Sequence, residues 1–176
     1  MSTVYHYDEQ ALNTLAILLM PGFTQLGAKE WVDALCQEIQ VSGKRVLDFG
    51  SSAGGPACEI AQYDAQVVGL DFSPELIKKS EALALQKSLS SRVEFAVMTG
   101  LPLPVTHKVD LIMSINTISR YKDKENLFAE FYRIMRANGT LAIMDWFHKS
   151  PHYSEATQAF LSFTPDIFYL NTAQDY

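Results

Sequence analysis

The stretch that decides the fold is VLDFGSSAGG, residues 46–55. Its first four residues are mostly apolar and predict a buried parallel strand. The glycines that follow, Gly50, Gly54 and Gly55, predict a tight turn in which a ligand can approach the backbone closely. Pro56 suits the first turn of a helix, where its missing N–H would have no intrahelical partner. We expect the amide groups at the start of this helix to face the turn and to attract an anion.

A second strand with an acidic end follows the helix. The apolar run Gln66 to Leu70 predicts the strand, and Asp71 comes directly after it, 21 residues beyond Gly50. That spacing is close to the ~20 residues expected for the acid that holds a ribose diol in a nucleotide-binding fold. Ser73 and Pro74 then predict the cap and first position of a further helix. The segment is typical of a mononucleotide-binding half.

Two departures from the dinucleotide fingerprint indicate which ligand is bound. The second glycine of that fingerprint makes room for a pyrophosphate, and here the position is Ser52. Asp48 stands two places before the first glycine, where a carboxylate would repel a pyrophosphate but would help to hold a cationic amino-acid group. The residues therefore favour a cationic ligand without phosphate, and they disfavour a nicotinamide-dependent oxidoreductase.

At this point the chain resembles the class I S-adenosylmethionine-dependent methyltransferases. Their first motif, acid-x-Gly-x-Gly-x-Gly, is matched by Asp48, Gly50, Ser52 and Gly54, with serine in place of the middle glycine. Residues 68–73 resemble their second motif. The resemblance implies that S-adenosylmethionine is the cofactor, that Asp71 binds the ribose hydroxyls and that Phe72 lies beside the adenine. Further resemblances follow in order at residues 101–104, 109–114 and 138–145.

Three more residues are predicted to border the cofactor. The family often has an acid at the end of the third strand that accepts a hydrogen bond from the adenine amino group. The matching positions here are Val97 and Met98, which we expect to pack on the ring instead. Ser114 ends the fourth strand, at the carboxyl edge where ligands of such folds sit. Asn116 follows it, and either contacts the acceptor or caps the next turn.

The amino-terminal part resembles that of phosphoethanolamine methyltransferases. The resemblance places Tyr7 at the position of a catalytic tyrosine and residues 22–25 near a segment that closes over the cofactor. The partner histidine of that tyrosine is replaced by Arg120, which stays charged and cannot act as the base. Arg120 either grips an acidic acceptor with two hydrogen bonds or is a solvated residue at a helix start.

The order of elements predicts an α/β fold with a doubly wound, mostly parallel sheet. We expect one domain over residues 1–176, with a helical cap over 1–42 and a truncated carboxyl end that lacks the last two strands of the family. Three helix ends are predicted. Gly43 ends the helix before the first strand, the helix from Pro74 runs to about Leu89, and Asn138-Gly139 ends the helix before the fifth strand.

Composition excludes several other classes of protein. A net charge of −6 and a pI near 5.1 argue against nucleic acid as a partner. The apolar run at residues 15–20 is too short to span a bilayer, and the four histidines lack metal-ligand spacing. Two cysteines without metal-type spacing fit a reducing cytoplasm. Because a sheet that stopped at its fifth strand would leave an apolar edge, we also expect pairing with a second copy.

Two functional hypotheses remain open from the sequence. The first is methyl transfer from S-adenosylmethionine to a small-molecule acceptor. The second is a non-catalytic binding or partner subunit that keeps the same fold, which is favoured by Ser52, Val97 and Arg120.

Overall fold

A computed structural model describes residues 9–146 together with residues 154, 155 and 158. Within these residues two helices precede the first strand, and strands and helices then alternate up to the third strand. The helices are α1 (Glu9–Leu19), α2 (Ala28–Ile39), α3 (Gly55–Gln62), α4 (Pro74–Gln86) and α5 (Lys124–Ile134). The strands are β1 (Arg45–Phe49), β2 (Gln66–Asp71), β3 (Val93–Val97), β4 (Val109–Ile115) and β5 (Met135–Met144), and a short 3₁₀ helix spans Ile118–Arg120.

The five strands form one parallel sheet in the order β3-β2-β1-β4-β5. Alternate residues of β1 face opposite cores. Val46 packs in a core cluster with α2, α3 and α4, whereas Leu47 and Phe49 pack in a second cluster with α5. Helices therefore cover both faces of the sheet, and the predicted doubly wound fold is confirmed.

Two predicted helix ends are wrong because local backbone conformations end these helices earlier. α2 ends before Gln40, which adopts φ 52° and donates its N–H to the Cys36 carbonyl, so Gly43 lies in the following turn. α4 ends at Gln86, where Ser88 takes φ 60° and the Leu89 N–H donates to the Ala84 carbonyl at 2.8 Å. This closing bond is the Schellman arrangement, with serine at the position that glycine usually fills.

The third helix end is also wrong, for a long-range reason. α5 ends at Ile134, and Met135 already pairs with Val109 of β4. The Lys108 ammonium group donates to the carbonyls of Arg133 and Met135, so a cation binds the exposed end of the helix. Residues 136–139 bulge from the sheet before pairing resumes at Thr140. The Asn138-Gly139 turn therefore lies inside β5.

Candidate functional site

The predicted site residues meet at the carboxyl ends of β1, β2 and β4. The sheet order reverses between β1 and β4, since β2 lies on one side of β1 and β4 on the other. Phe49 pairs with both Leu70 and Ser114, which brings the three strand ends to one level. In open α/β sheets, ligands bind in the crevice outside this switch point.

The glycine loop leaves β1 through three left-handed residues. Gly50 has φ 83°, Ser52 has φ 50° and Gly54 has φ 83°. A Cβ atom on Gly50 would overlap the Thr117 side chain, so both the conformation and the space require glycine there. Ser52 adopts a conformation that costs a residue with a side chain about 1 kcal/mol or more.

Hydrogen bonds fix the loop to its neighbours. The N–H groups of Gly50 and Ser51 both donate to the Leu70 carbonyl at 2.8 Å, which ties the loop to β2. The Ser52 hydroxyl lies 3.2 Å from the Thr24 hydroxyl, and the Ser52 carbonyl accepts from the Ser80 hydroxyl at 2.9 Å. The serine that departs from the family motif thus connects the loop to the segment before α2.

The start of α3 is occupied by groups of the chain itself. The Gly55 N–H donates to the Gly22 carbonyl at 3.1 Å, and the Ala57 N–H donates to the Asp48 carboxyl group. These are two of the amides that the sequence predicted would attract an anion. In this structure one of them meets a backbone carbonyl and the other meets the carboxyl group of Asp48.

Asp48 is buried beneath the loop, with 1% of its surface exposed. Burial raises its pKa to about 8, the negative charge of Asp71 adds to this rise, and the Ala57 N–H opposes it. Among the described residues, its Oδ2 atom has no hydrogen-bond partner. A pKa of about 8 favours the protonated form of Asp48 at pH 7 in the absence of a nearby cation. The sequence pattern predicted a charged carboxylate at this position.

Asp71 is held rigidly at the end of β2. Its Oδ2 accepts from the Ser52 N–H and its Oδ1 from the Ser73 N–H, both at 2.9 Å. Burial raises its pKa, although these amides and the positive charge of Arg120 act in the opposite direction. Each carboxylate oxygen has capacity for one more hydrogen bond, which suits a pair of vicinal hydroxyls.

The residues predicted to border the adenine differ in exposure. Phe72 and Val97 are each 38% exposed at neighbouring strand ends, so both present apolar surface. Met98 is only 1% exposed and packs in the core cluster with α5. Of the two residues that end β3, Val97 is the one with surface available to a ring.

Four other predicted residues have different positions. Ser114 is fully buried, and within residues 9–146 its hydroxyl finds no partner. Asn116 adopts φ 50° and donates its N–H to the Met144 carbonyl at 2.7 Å, which is a turn-forming role. Arg120 is partly buried in the 3₁₀ helix and acts electrostatically on Asp71. Tyr7 lies outside the described residues.

Sequence reasoning missed Tyr121. Its ring centroid lies 5.9 Å from that of Phe72 and 5.5 Å from that of Phe49. Its hydroxyl is buried without a partner in the described part of the chain, and burial raises its pKa to about 12. A tyrosine shortly after β4 is the available signal. The orientation of its side chain depends on the 3₁₀ helix, which no periodic pattern in the sequence predicts.

Neither a metal site nor a membrane span is found in the described residues. No group of three or more histidine, cysteine or acidic side chains there has a metal-binding arrangement. No described helix is long and apolar enough to cross a membrane.

Comparisons with known proteins agree with this geometry. The model of a family described as "Methyltransferase domain" matches residues 40–166, so the chain belongs to that methyltransferase family. Its Rossmann-like fold is that of the class I S-adenosylmethionine-dependent methyltransferases, as the sequence predicted.

Curated relatives and solved structures show how far the similarity extends. Ajmaline N-methyltransferase of Rauvolfia serpentina is 33% identical over 130 residues, covering 70% of this chain and 45% of the relative. Phosphoethanolamine N-methyltransferase 1 of Arabidopsis thaliana is 31% identical over 127 residues, covering 71% and 26%. The structure of Haemonchus contortus phosphoethanolamine N-methyltransferase 2 with S-adenosyl-L-methionine aligns with a TM-score of 0.83 and 22% identity over 96% of this chain and 40% of that one. The chain thus spans less than half the length of these relatives.

Proposed function

We propose that this chain binds S-adenosylmethionine and transfers its methyl group to a small-molecule acceptor. One observation supports this most directly: the buried Asp48 carboxyl group, whose Oδ2 has no hydrogen-bond partner among the described residues, lies beside the Asp71 carboxylate, which two backbone amides hold in place. A buried polar atom without a partner is costly, so such an atom at a ligand crevice suggests that a ligand group completes it.

The residues present fit the parts of this cofactor. Asp48 matches the ammonium group of the amino-acid end, and binding of that cation would draw the proton from the carboxyl group. Asp71 matches the ribose diol. Phe72 and Val97 offer apolar surface to the base, and the unpartnered Ser114 hydroxyl lies at the level of the loop. Gly50, Ser52 and Gly54 shape the loop that covers the amino-acid end.

The cofactor supplies a methyl group bonded to a sulfonium sulfur, which is already activated toward a nucleophile. The protein's task is to hold the acceptor in line with that methyl group and to exclude water, and positioning of this kind supplies much of the rate. Tyr7 is the proposed catalytic residue that orients the acceptor, on the resemblance to phosphoethanolamine methyltransferases.

Calorimetric titration tests cofactor binding. We expect heat on titration with S-adenosylmethionine and with S-adenosylhomocysteine, and no heat with NAD. Absence of heat with both S-adenosylmethionine and S-adenosylhomocysteine at high micromolar concentration would contradict the proposal. Transfer of a labelled methyl group to amines, phenols and phosphoethanolamine then tests catalysis and selects the acceptor class.

A non-catalytic binding or partner subunit is the alternative. Arg120 favours it, because a permanently charged side chain stands where the resembled enzymes have a base. Cofactor binding without transfer to any acceptor in the screen would support this alternative. Methyl transfer by the purified chain would exclude it.

The remaining proposals concern the setting of the protein. We propose a single domain in the cytoplasm, without nucleic acid as a partner, which pairs with a second copy. The acidic net charge supports the absence of a nucleic-acid partner, and the two buried free cysteines support the location. Sedimentation at tens of micromolar tests the pairing, and a clean monomer would contradict it.

A further inference from the structure

Tyr121 combines two features that a purely structural tyrosine lacks together. Its hydroxyl is buried and meets no hydrogen-bond partner within the described ranges. Its ring packs against Phe72, with an angle of 36° between the ring planes and 5.9 Å between the centroids. A buried hydroxyl without a partner destabilises the unliganded fold, so its presence beside a candidate ligand surface requires a reason.

The side chains of Val97 and Met98 offer no polar group to the base that Phe72 is proposed to bind. Val97 is apolar and Met98 is buried in the core. The Tyr121 ring packs against the same core cluster as Met98 and against Phe72, which follows β2, the strand that pairs with β3. A phenol hydroxyl both donates and accepts, which allows it to accept from an exocyclic amino group.

We infer that Tyr121 is a cofactor-contacting residue whose hydroxyl accepts a hydrogen bond from the 6-amino group of adenine. This role rests on the proposed function. The role requires Phe72, which is partly exposed and packs against the Tyr121 ring, to shift when the base binds, because the hydroxyl is buried in the ligand-free fold. Tyr121 thereby supplies the polar contact that β3 does not provide.

The substitution Tyr121→Phe tests this role because it removes the hydroxyl and keeps the ring contacts. We expect the ligand-free variant to melt about 2–4 °C higher than the parent, since an unpartnered buried hydroxyl is lost. We expect its affinity for S-adenosylhomocysteine to fall about threefold to tenfold, as for one hydrogen bond. A structural hydroxyl would not give opposite signs in stability and affinity.

Tyr63→Phe is the matched control. The Tyr63 hydroxyl donates to Asp33 Oδ1 at 3.3 Å, between α2 and α3 and away from the crevice. Its removal should lower the melting temperature and leave the affinity for S-adenosylhomocysteine unchanged.

A modified ligand tests the same bond without changing the protein. An analogue of S-adenosylhomocysteine whose base lacks the 6-amino group should bind the parent about threefold to tenfold more weakly, and should bind Tyr121→Phe no more weakly than the complete ligand does. Equal affinity of parent and variant for S-adenosylhomocysteine, or a variant less stable than the parent, would overturn the role of Tyr121 and leave the proposed function standing. If the parent fails to bind S-adenosylhomocysteine, the proposed function fails and this role fails with it.

Discussion

Gly50 shows how one position can require glycine for two separate reasons. Its φ of 83° disfavours any side chain, and a Cβ atom would also overlap Thr117. We expect Gly50→Ala to lower the free energy of unfolding by about 2–4 kcal/mol and to abolish binding of S-adenosylhomocysteine. Gly50→Val should be worse, because β-branching further disfavours this conformation.

The control for this prediction is Gly27→Ala. Gly27 has φ 74°, but a Cβ atom there would meet nothing within 4 Å. This variant carries only the conformational cost of about 1 kcal/mol and should bind the ligand like the parent. Thermal unfolding and calorimetry separate the two cases. Unimpaired binding by Gly50→Ala would show that the glycine-loop assignment is wrong.

Asp71 is a carboxylate whose two oxygens already accept backbone amides. Both Asp71→Ala and Asp71→Asn should weaken binding of S-adenosylhomocysteine about tenfold or more, because charge-assisted bonds to the ribose are worth ~1.5–3 kcal/mol. Asp110→Asn is the control, since its carboxylate also fixes a backbone amide, that of Arg45, at the opposite end of the sheet. Calorimetry should find a normal dissociation constant for the control. Asp71 does not touch the ribose if its folded variants also bind normally.

At the scale of elements, the 3₁₀ helix carries Arg120 and leads into Tyr121, and Asp145 anchors it. The Asp145 Oδ2 atom accepts from the Ser119 N–H at 2.9 Å, which ties this helix to the end of β5. We expect Asp145→Ala to cost about 1.5–3 kcal/mol of stability. It should also speed hydrogen exchange at residues 119–121 and weaken binding of S-adenosylhomocysteine severalfold.

Asp123→Ala provides the comparison within the same region. Asp123 caps α5 by accepting from the Asn126 N–H at 3.2 Å, so its loss costs about 1 kcal/mol without moving the 3₁₀ helix. Its affinity for the ligand should be normal. Equal affinities for the two variants would refute the anchoring role of Asp145.

At the scale of the whole molecule, Asp48 makes stability depend on pH. Burial raises its pKa to about 8 in the fold from an ordinary value of 3.8, so folding favours the protonated form. The contribution of Asp48 to stability is therefore fully present below about pH 4 and is lost as the pH rises toward 8. Acids whose pKa is lowered in the fold, such as Glu130 beside Arg133, change stability at lower pH.

We expect the free energy of unfolding of the ligand-free protein to fall between pH 5 and 8, and Asp48→Asn to flatten this slope. At pH 8 the variant should be more stable than the parent. Binding of S-adenosylhomocysteine by the parent should tighten over the same range, because the ligand's ammonium group requires the carboxylate form. Chemical denaturation and calorimetry at several pH values measure both. A parent whose stability and affinity are flat with pH would contradict this account of Asp48.

The class of fold and the positions of the main site residues follow from local sequence signals. Alternating apolar runs and helix caps, such as Ser73 before Pro74, are local signals, and so are the loop glycines, whose positive φ angles favour glycine. Asp48, Gly50 and Asp71 could therefore be placed at strand ends from spacing alone, because the carboxyl ends of parallel strands meet at one edge.

The contacts, burial and protonation of those residues depend on the tertiary structure. The pKa of Asp48 is raised because the residue is buried beside Asp71, and no sequence pattern predicts burial of that depth. α5 ends at Ile134 because Met135 pairs with Val109, a contact between distant residues that overrides the turn propensity of Asn138-Gly139. Tyr121 reaches Phe72 through a 3₁₀ turn that has no periodicity to read. Local conformational propensity depends on each residue and its sequence neighbours. Burial, electrostatic environment and hydrogen-bond partners arise only when distant segments pack together.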